Sequence, residues 1–271
     1  MPILRKLGLA FGLCWLAFGL CWLALGLCWP APGAVAQAET LGVVMLHGKH
    51  GRPEQLAGLA AQIEAAGFLA ERPDMCWSAT RIYDRSYLDC FADIDAATAR
   101  LKSRGATAIV VLGMSLGGNG ALGYGARHAG LKGVIALAPA SEPEFLRRRP
   151  DVEQSVQQAH ALVAAGKADG TATFTDLNNG REIAVTTTPA IFLSFVGEDS
   201  PAAMPRNAAH LTAPLLMVSG TRDRSQRGAD AIFAAAPPDR RNRHVMVDAD
   251  HLGTPAASTA AVLAWLRGLA D

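Results

Sequence analysis

The stretch from Ala106 to Gly120 constrains the fold more than any other part of the sequence. An apolar, β-branched run over residues 108–112 predicts a buried strand, and the glycine-rich sequence after it predicts a closely packed helix. The residues between them, Gly-Met-Ser-Leu-Gly, place Ser115 at the apex of a sharp turn. Such a serine is forced to a positive φ, at a cost of roughly 1–3 kcal/mol, and Gly113 and Gly117 leave the room that the turn needs.

The turn also indicates what the serine does. The first N–H groups of the following helix face the serine, so the Leu116 amide can bind a developing oxyanion. Because a hydroxyl is a weak nucleophile at neutral pH, it needs a base and a carboxylate that orients the base. Asp223 and His251 follow the last two expected strands, so we expect both at the same sheet edge as Ser115.

Other acidic residues compete for the role of the carboxylate. Asp199 follows AIFLSFVGE, which we interpret as a further strand. Asp248 and Asp250 flank His251, but a direct neighbour in sequence seldom reaches the imidazole Nδ1. We favour Asp223, since its strand is next in order to the strand that carries His251.

These motifs resemble the α/β-hydrolase superfamily over nearly the whole chain after residue 40. The likeness consists of GMSLG after a strand, HGKHG after an earlier strand, and the order Ser, Asp, His, with the endings SGTRD and DADH. It implies a mostly parallel central sheet of about six strands flanked by helices. It also implies these site residues: the nucleophile Ser115, the acid Asp223, the base His251, and an oxyanion hole made by the amides of Leu116 and Lys49.

The loop HGKHG allows a second interpretation. Gly48 and Gly51 would then only permit a tight turn, and His47 and His50 would be polar loop residues, with no role for the Lys49 amide. No acidic or sulfur ligand clusters with these histidines in the sequence, so we expect no metal. The implied chemistry needs no cofactor.

Between residues 141 and 213 the alternation of strands and helices stops. A helix begins at Pro150, and residues 171–188 alternate around Asn-Asn-Gly, which predicts a β-hairpin. We interpret this insertion as a cap over the sheet's carboxyl edge. Arg147 to Arg149 form either a solvated charged face or a pocket for an anionic substrate.

Two predictions concern residues 76–104. The segment Leu88 to Arg104 predicts an amphipathic helix with Leu88 facing inward. Trp77, in the preceding loop, either packs in the core or lines the substrate pocket.

The N-terminus predicts export. After Arg5 and Lys6 comes an uncharged run over residues 7–29. Three copies of a heptapeptide, GLCWLAF, GLCWLAL and GLCWPAP, start at Gly12, and Ala34-Val35-Ala36 then provides a cleavage site before Gln37. Residues 1–36 are therefore a signal peptide or an uncleaved N-terminal anchor. In either case we expect the hydrolase domain, residues 37–271, to be periplasmic or secreted, with membrane contact only through the N-terminal segment.

Cysteine usage is consistent with export. Three of the five cysteines lie within residues 1–36, which leaves only Cys76 and Cys90 in the domain. A lone pair in an exported chain favours a disulfide, and two unrelated buried thiols are the alternative.

The function class follows from these motifs. A net charge of +1 over 271 residues gives no reason to expect a nucleic-acid partner. The chain resembles small, minimal members of the superfamily, such as exported esterases and dienelactone-hydrolase-like proteins. The latter carry a cysteine at the nucleophile position, so Ser115 argues for ester rather than enol-lactone chemistry. We expect an exported serine hydrolase acting on a small-molecule acyl ester. The alternatives are an acyltransferase, a peptidase or a non-catalytic binding member.

Overall fold

Eight strands build the protein in the computed structural model, which describes residues 39–225 and 228–270. The predicted leader, residues 1–36, lies outside the described residues. The strands are β1 Leu41–Leu46, β2 Leu69–Glu71, β3 Ala108–Met114, β4 Gly133–Leu137, β5 Ala172–Asn178, β6 Arg181–Thr187, β7 Leu215–Gly220 and β8 Arg243–Val247.

Six of these strands form one parallel sheet in the order β2-β1-β3-β4-β7-β8, and β5 and β6 form a separate antiparallel hairpin. This confirms the predicted central sheet. Sequence order reverses beside β1, because β2 pairs on one side of it and β3 on the other. Ligands of parallel sheets bind at the carboxyl ends of the strands beside such a reversal.

Ten helices surround the sheet in the described part of the chain. They are α1 Ala57–Ala65, which a 3-10 turn over Pro53–Leu56 precedes, α2 Phe91–Ser103, α3 Leu116–Gly125, α4 Pro143–Arg147, α5 Pro150–Ala164, α6 Pro189–Val196, α7 Met204–Ala209, α8 Ala229–Ala235, α9 Thr254–Ala257 and α10 Thr259–Ala270.

Two apolar clusters hold the helices against the sheet. Buried residues of α1 and α10 pack on one face, and those of α2, α3 and α8 pack on the other. All six residues of β1 are buried, as are all six of β7. A strand covered on both faces reads as a continuous apolar run rather than as an alternation, which is why the sequence predicts these strands so clearly.

The insertion between β4 and β7 contains α4, α5, the β5–β6 hairpin, α6 and α7. Its aromatic side chains continue the core of one sheet face: Phe174 stacks on Phe192 with ring centroids 4.5 Å apart, and Tyr83 stacks on Phe195 at 4.0 Å. The hairpin lies where the sequence predicted it. None of the described helices has the length and apolar character needed to cross a bilayer.

Two local predictions are wrong. The run before Asp199 is the helix α6, not a strand, because Pro189 occupies its first turn and the Thr188 hydroxyl accepts the Ile191 N–H at 3.2 Å. Helix α2 begins at Phe91, and Leu88 lies outside it with 42 % of its surface exposed.

The two cysteines of the domain are adjacent in space. Cys76 and Cys90 are both fully buried, and the structure joins them in a disulfide with Cα atoms 5.5 Å apart. The bridge would close the loop that leads from β2 to α2.

We predict that peptide mapping without reductant will recover a fragment that links Cys76 to Cys90. Because the bridge spans 14 positions, the chain-entropy estimate is about 3 kcal/mol of stability. The double variant Cys76→Ser/Cys90→Ser should lose about this much unfolding free energy in urea titration. Two alkylatable thiols at these positions in the native protein would contradict the prediction.

Candidate active site

Ser115 lies at the tip of β3 with a strained backbone. Its φ and ψ are 57° and −120°, a conformation that non-glycine residues rarely adopt. Its N–H donates to the Leu137 carbonyl at 3.0 Å, and its own carbonyl accepts the N–H groups of Asn119 and Ala140. These three backbone hydrogen bonds hold the side chain at the carboxyl edge of the sheet.

Gly113 and Gly117, on either side of Ser115, have to be glycines because neighbouring backbone atoms lie where a side chain would begin. A Cβ added to Gly113 would lie 1.9 Å from the Gly117 carbonyl oxygen, and a Cβ on Gly117 would lie 2.2 Å from the Leu46 carbonyl oxygen. No side chain fits at such distances. The turn, as expected from the sequence, is possible only with glycine at these two positions.

Three side chains form a hydrogen-bonded series at this edge. Ser115 Oγ lies 2.9 Å from His251 Nε2, and His251 Nδ1 lies 2.7 Å from Asp223 Oδ2. Asp223 follows β7 and His251 follows β8, as the sequence predicted. The Asp223 side chain is only 1 % exposed, which shields its interaction with the imidazole from water.

The hydrogen-bond partners decide the tautomer of His251. Burial disfavours the charged form of Asp223, but hydrogen bonds from His251 and Ser225 outweigh burial and hold its pKa below the ordinary value. An ionised carboxylate only accepts, so Nδ1 carries the proton and donates it to Asp223. Nε2 is then the acceptor for the Ser115 hydroxyl, which is the arrangement that a general base needs.

Sequence reasoning missed Ser225. Its N–H and its hydroxyl donate to Asp223 Oδ1 at 2.8 and 2.6 Å, and its Oγ lies 3.0 Å from His251 Nδ1. Oδ1, the carboxylate oxygen that does not contact His251, is thereby held in place. Only the local sequence could have suggested this contact, since an aspartate side chain often accepts a hydrogen bond from the backbone N–H two residues later.

The competing acids have other partners. Asp248 pairs with Arg222, and Asp250 accepts the Gly253 N–H at 2.8 Å. Asp199 lines a different cavity beside Arg206, away from Ser115.

The HGKHG loop, which follows β1, lies beside Ser115. Leu46, the last residue of β1, pairs with Gly113 of β3 in the sheet. Gly48 is so near the serine that a Cβ added to it would lie 3.3 Å from the Ser115 Cβ. Among residues 39–225 and 228–270, neither the Lys49 amide nor the Leu116 amide donates to a protein acceptor. Both donors are thus available to a substrate oxygen near Ser115.

His47 is a structural residue rather than a polar loop residue. It is fully buried, its Nε2 accepts the Met75 N–H at 3.1 Å, and its Nδ1 lies 2.9 Å from the Gly48 carbonyl. Burial lowers the pKa of its imidazole, so it stays neutral. Trp77 is also buried, and its indole N–H donates to the His47 carbonyl at 2.9 Å, so it packs in the core.

A cavity of about 430 Å³ opens onto Ser115 and His251. The insertion supplies much of its wall, through the turn of the β5–β6 hairpin and through apolar side chains of α4 and α7. The lining residues include Phe145, Leu146, Met204, Leu177 and Asn178. A partly open cavity whose surface is mostly apolar, with charged groups such as Arg149 and Arg224 at its wall, suits a small organic substrate.

The arginines near this cavity are mostly paired. Arg148 pairs with Glu144 and Arg149 pairs with Glu182, at 2.7 and 3.0 Å, and Arg147 donates to backbone carbonyls of residues 196 and 197. Arg148 and Arg149 also line the cavity that opens onto Ser115, so the run is more than a solvated face, although both guanidinium groups already have carboxylate partners. Among the described residues, no three His, Cys, Asp or Glu side chains group as a metal site would require.

Glu142 is an ionisable group in the cavity wall that sequence reasoning did not identify. Only 8 % of its surface is exposed, and its Oε2 accepts the Met204 N–H at 2.7 Å. Burial raises the pKa of its carboxyl to about 7, although that hydrogen bond opposes the rise.

We predict a pH-dependent stability term from Glu142. The folded protein keeps this proton up to about pH 7, whereas the unfolded chain releases it near the ordinary value of 4.5. More protons are bound in the folded state between these pH values, so the unfolding free energy falls as pH rises through the window, by about 3 kcal/mol. Glu142→Gln keeps the acceptor for Met204 and should remove most of this fall.

Urea titrations of wild type and variant from about pH 4.5 to 7.5 measure the term. Glu64→Gln, which neutralises an exposed carboxylate on α1 that does not act on Glu142, is the control and should leave the slope unchanged. Equal slopes for wild type and Glu142→Gln would contradict the prediction.

A second prediction concerns Ser225. Ser225→Ala removes one of the two donors to Asp223 Oδ1 and should lower kcat/KM about tenfold, because the carboxylate orients His251 less well. Ser219→Ala is the control: Ser219 likewise lies 3.0 Å from a histidine nitrogen, that of His244, but it does not line the cavity. Equal activity of both variants in ester hydrolysis would contradict a role for Ser225.

Comparisons with known proteins agree with this architecture. A family model described as serine aminopeptidase, S33, matches residues 38–252. No curated protein matches the chain in sequence.

Solved structures of similar fold include two from named organisms. The monoacylglycerol lipase of Paleococcus ferrophilus has 18 % sequence identity and a TM-score of 0.63, over 85 % of this chain and 96 % of that chain. Est1E from Butyrivibrio proteoclasticus, solved with ferulic acid bound, has 17 % identity and a TM-score of 0.63, over 86 % and 91 %. A structure from work on the metagenome-derived lipolytic enzymes LipS and LipT has 17 % identity and a TM-score of 0.59, over 86 % and 94 %. At these identities the likeness establishes the fold.

Proposed function

We propose that this chain, which belongs to the serine aminopeptidase S33 family of α/β-hydrolases, is a serine hydrolase that cleaves carboxylic esters. The observation that carries the proposal is the series Asp223, His251 and Ser115, with hydrogen-bond distances of 2.7 and 2.9 Å, at the base of a cavity. Geometry of this kind is how a triad is recognised, whatever its sequence positions.

In the first half of the reaction, Ser115 Oγ attacks the acyl carbon as His251 Nε2 takes the hydroxyl proton. The carbonyl oxygen becomes an oxyanion, which the amides of Leu116 and Lys49 stabilise. Asp223 stabilises the imidazolium that forms. The carbon–oxygen bond to the alcohol then breaks, His251 protonates the departing oxygen, and the acyl group remains on Ser115.

In the second half, water replaces the alcohol. His251 removes a proton from the water as its oxygen attacks the acyl carbon, and a second oxyanion forms in the same hole. When the bond to Ser115 breaks, His251 returns the proton to Oγ, so the acid is released and the enzyme is restored.

The substrate and the location are part of the proposal. An apolar wall supplied by Phe145, Leu146 and Met204 supports a small acyl ester, and the lipolytic fold neighbours support the same class. Export of the domain is supported by the leader-like sequence of residues 1–36 and by the paired positions of Cys76 and Cys90.

We expect Ser115→Ala and His251→Ala each to lower kcat on p-nitrophenyl esters by about a million-fold, since members of a triad act as a unit. Asp223→Asn should cost about ten-thousand-fold, because the amide favours the wrong tautomer. Asp199→Asn is the control for the carboxylate and should keep full activity, as it lies in another cavity. A series from acetate to long acyl chains reports the size of the pocket.

The outcomes separate the candidates. Turnover that all three variants reduce supports the esterase mechanism. Absence of turnover together with absence of covalent fluorophosphonate labelling at Ser115 would favour a non-catalytic binding role instead.

A peptidase is the second candidate, because the family description names aminopeptidases. The same triad and oxyanion hole serve both reactions, which differ in the leaving group. Amino-acid p-nitroanilides assayed beside the esters distinguish them: a larger kcat/KM for an anilide than for every ester would favour the peptidase. Transfer of the acyl group to added alcohols instead of water would indicate an acyltransferase.

A further inference from the structure

Lys49 joins two parts of the protein that are far apart in sequence. Its Nζ donates to Asp176 Oδ2 at 2.7 Å and to the Leu177 carbonyl at 2.9 Å. The two side chains of this ion pair are 2 % and 0 % exposed. Lys49 belongs to the loop after β1, whereas Asp176 and Leu177 belong to β5 of the insertion.

The carboxylate of Asp176 is fully engaged. Its Oδ2 also accepts the Tyr83 hydroxyl at 2.8 Å, and its Oδ1 accepts the Leu177 N–H at 2.6 Å. Burial, followed by the neighbouring carboxylate, raises the pKa of the Tyr83 phenol well above its usual range, so this hydroxyl remains a donor. The Thr187 hydroxyl of β6 donates to the Tyr83 carbonyl at 2.8 Å, which ties both hairpin strands to the cluster.

The same hairpin holds the backbone of Lys49. The Asn178 side-chain amide donates to the Lys49 carbonyl at 3.3 Å. On the other side, the Gly48 carbonyl accepts the Gly51 N–H at 3.0 Å. In a planar trans peptide the carbonyl and the N–H point in opposite directions. A fixed Gly48 carbonyl therefore also fixes the direction of the Lys49 N–H.

A buried ion pair does little for stability. Removing two charges from water is costly, and apolar replacements of such pairs are often as stable or more stable. The chain nevertheless carries a buried ion pair here, in which Lys49 has two oxygen acceptors and both oxygens of Asp176 accept hydrogen bonds. A role in positioning explains the pair better than a role in stability.

We propose that the hairpin of the insertion positions the oxyanion loop, with Asp176, Tyr83 and the Lys49 side chain as positioning residues that hold the Lys49 N–H toward Ser115. The inference rests on the proposed function, since the Lys49 amide matters only as part of the oxyanion hole of that reaction. Leu177 and Asn178 also line the cavity, so the segment that contacts the substrate is the one that holds the hole in place.

Two variants test the inference in the full chain. Asp176→Asn keeps the shape of the side chain but removes its charge. We expect it to lower kcat on p-nitrophenyl acetate about ten- to a hundredfold, since small displacements of an oxyanion donor are costly. The KM should stay within about threefold, because the cavity wall is retained. Covalent labelling by a fluorophosphonate should slow in parallel, since its phosphoryl oxygen uses the same hole.

The double variant Lys49→Met/Asp176→Asn removes both charges and keeps an amide oxygen as an acceptor for the buried Tyr83 hydroxyl. We expect its melting temperature to stay close to that of wild type, while its kcat stays as low as that of Asp176→Asn. This separates positioning from folding even if the single variant folds poorly.

Thr173→Val is the matched control. It removes the hydrogen bond between the Thr173 and Thr186 hydroxyls, which joins the two strands of the same hairpin, but that hydrogen bond is exposed and neither residue lines the cavity. Its kcat should stay within about twofold of wild type.

The results distinguish two failures. A double variant that is stable and regains wild-type kcat, or a folded Asp176→Asn with wild-type kcat and labelling rate, would overturn the positioning role. Ser115→Ala in the same assay tests the function beneath it: if that variant kept wild-type turnover and labelling, the proposed reaction itself would be wrong.

Discussion

The strained backbone of Ser115 is the constraint on which the rest of the structure depends. A positive φ at the tip of a strand is unfavourable, so it persists only where hydrogen bonds and packing fix the chain on all sides. Leu137, Asn119 and Ala140 supply those hydrogen bonds. The neighbouring glycines let β1, β3 and α3 approach the turn closely, and this tight contact brings the loop after β1 to the serine.

The charges of the site are arranged by burial. Asp223 is shielded from water and still ionised, because His251 and Ser225 donate to it, so the imidazole is oriented before any substrate arrives. Glu142, with a single backbone donor, is held neutral over much of the pH range by the same shielding. The two carboxyl groups thus take opposite states, because Glu142 is the more deeply buried and Asp223 has the larger number of hydrogen-bond donors.

The insertion shows where local reasoning succeeded and where it failed. The hairpin was predictable, because Asn-Asn-Gly fits the positive φ of Asn179 and Gly180 and the strands alternate around it. Helix α6 was not, because its apolar run has the composition of a buried strand, and only the Thr188 cap and Pro189 argue for a helix. The contact between Lys49 and Asp176 spans 127 positions, and no periodicity in the sequence signals it.

The sequence by itself determined the parallel sheet, the turn at Ser115, and the order in which Asp223 and His251 follow their strands. Each is a local pattern: apolar runs, obligatory glycines, and polar residues where strands end. The tertiary structure decided which acid meets His251, the support from Ser225, and the cluster of Lys49, Asp176 and Tyr83. Those contacts join segments that are distant along the chain, and their geometry is fixed only when both sheet faces and the insertion are packed together.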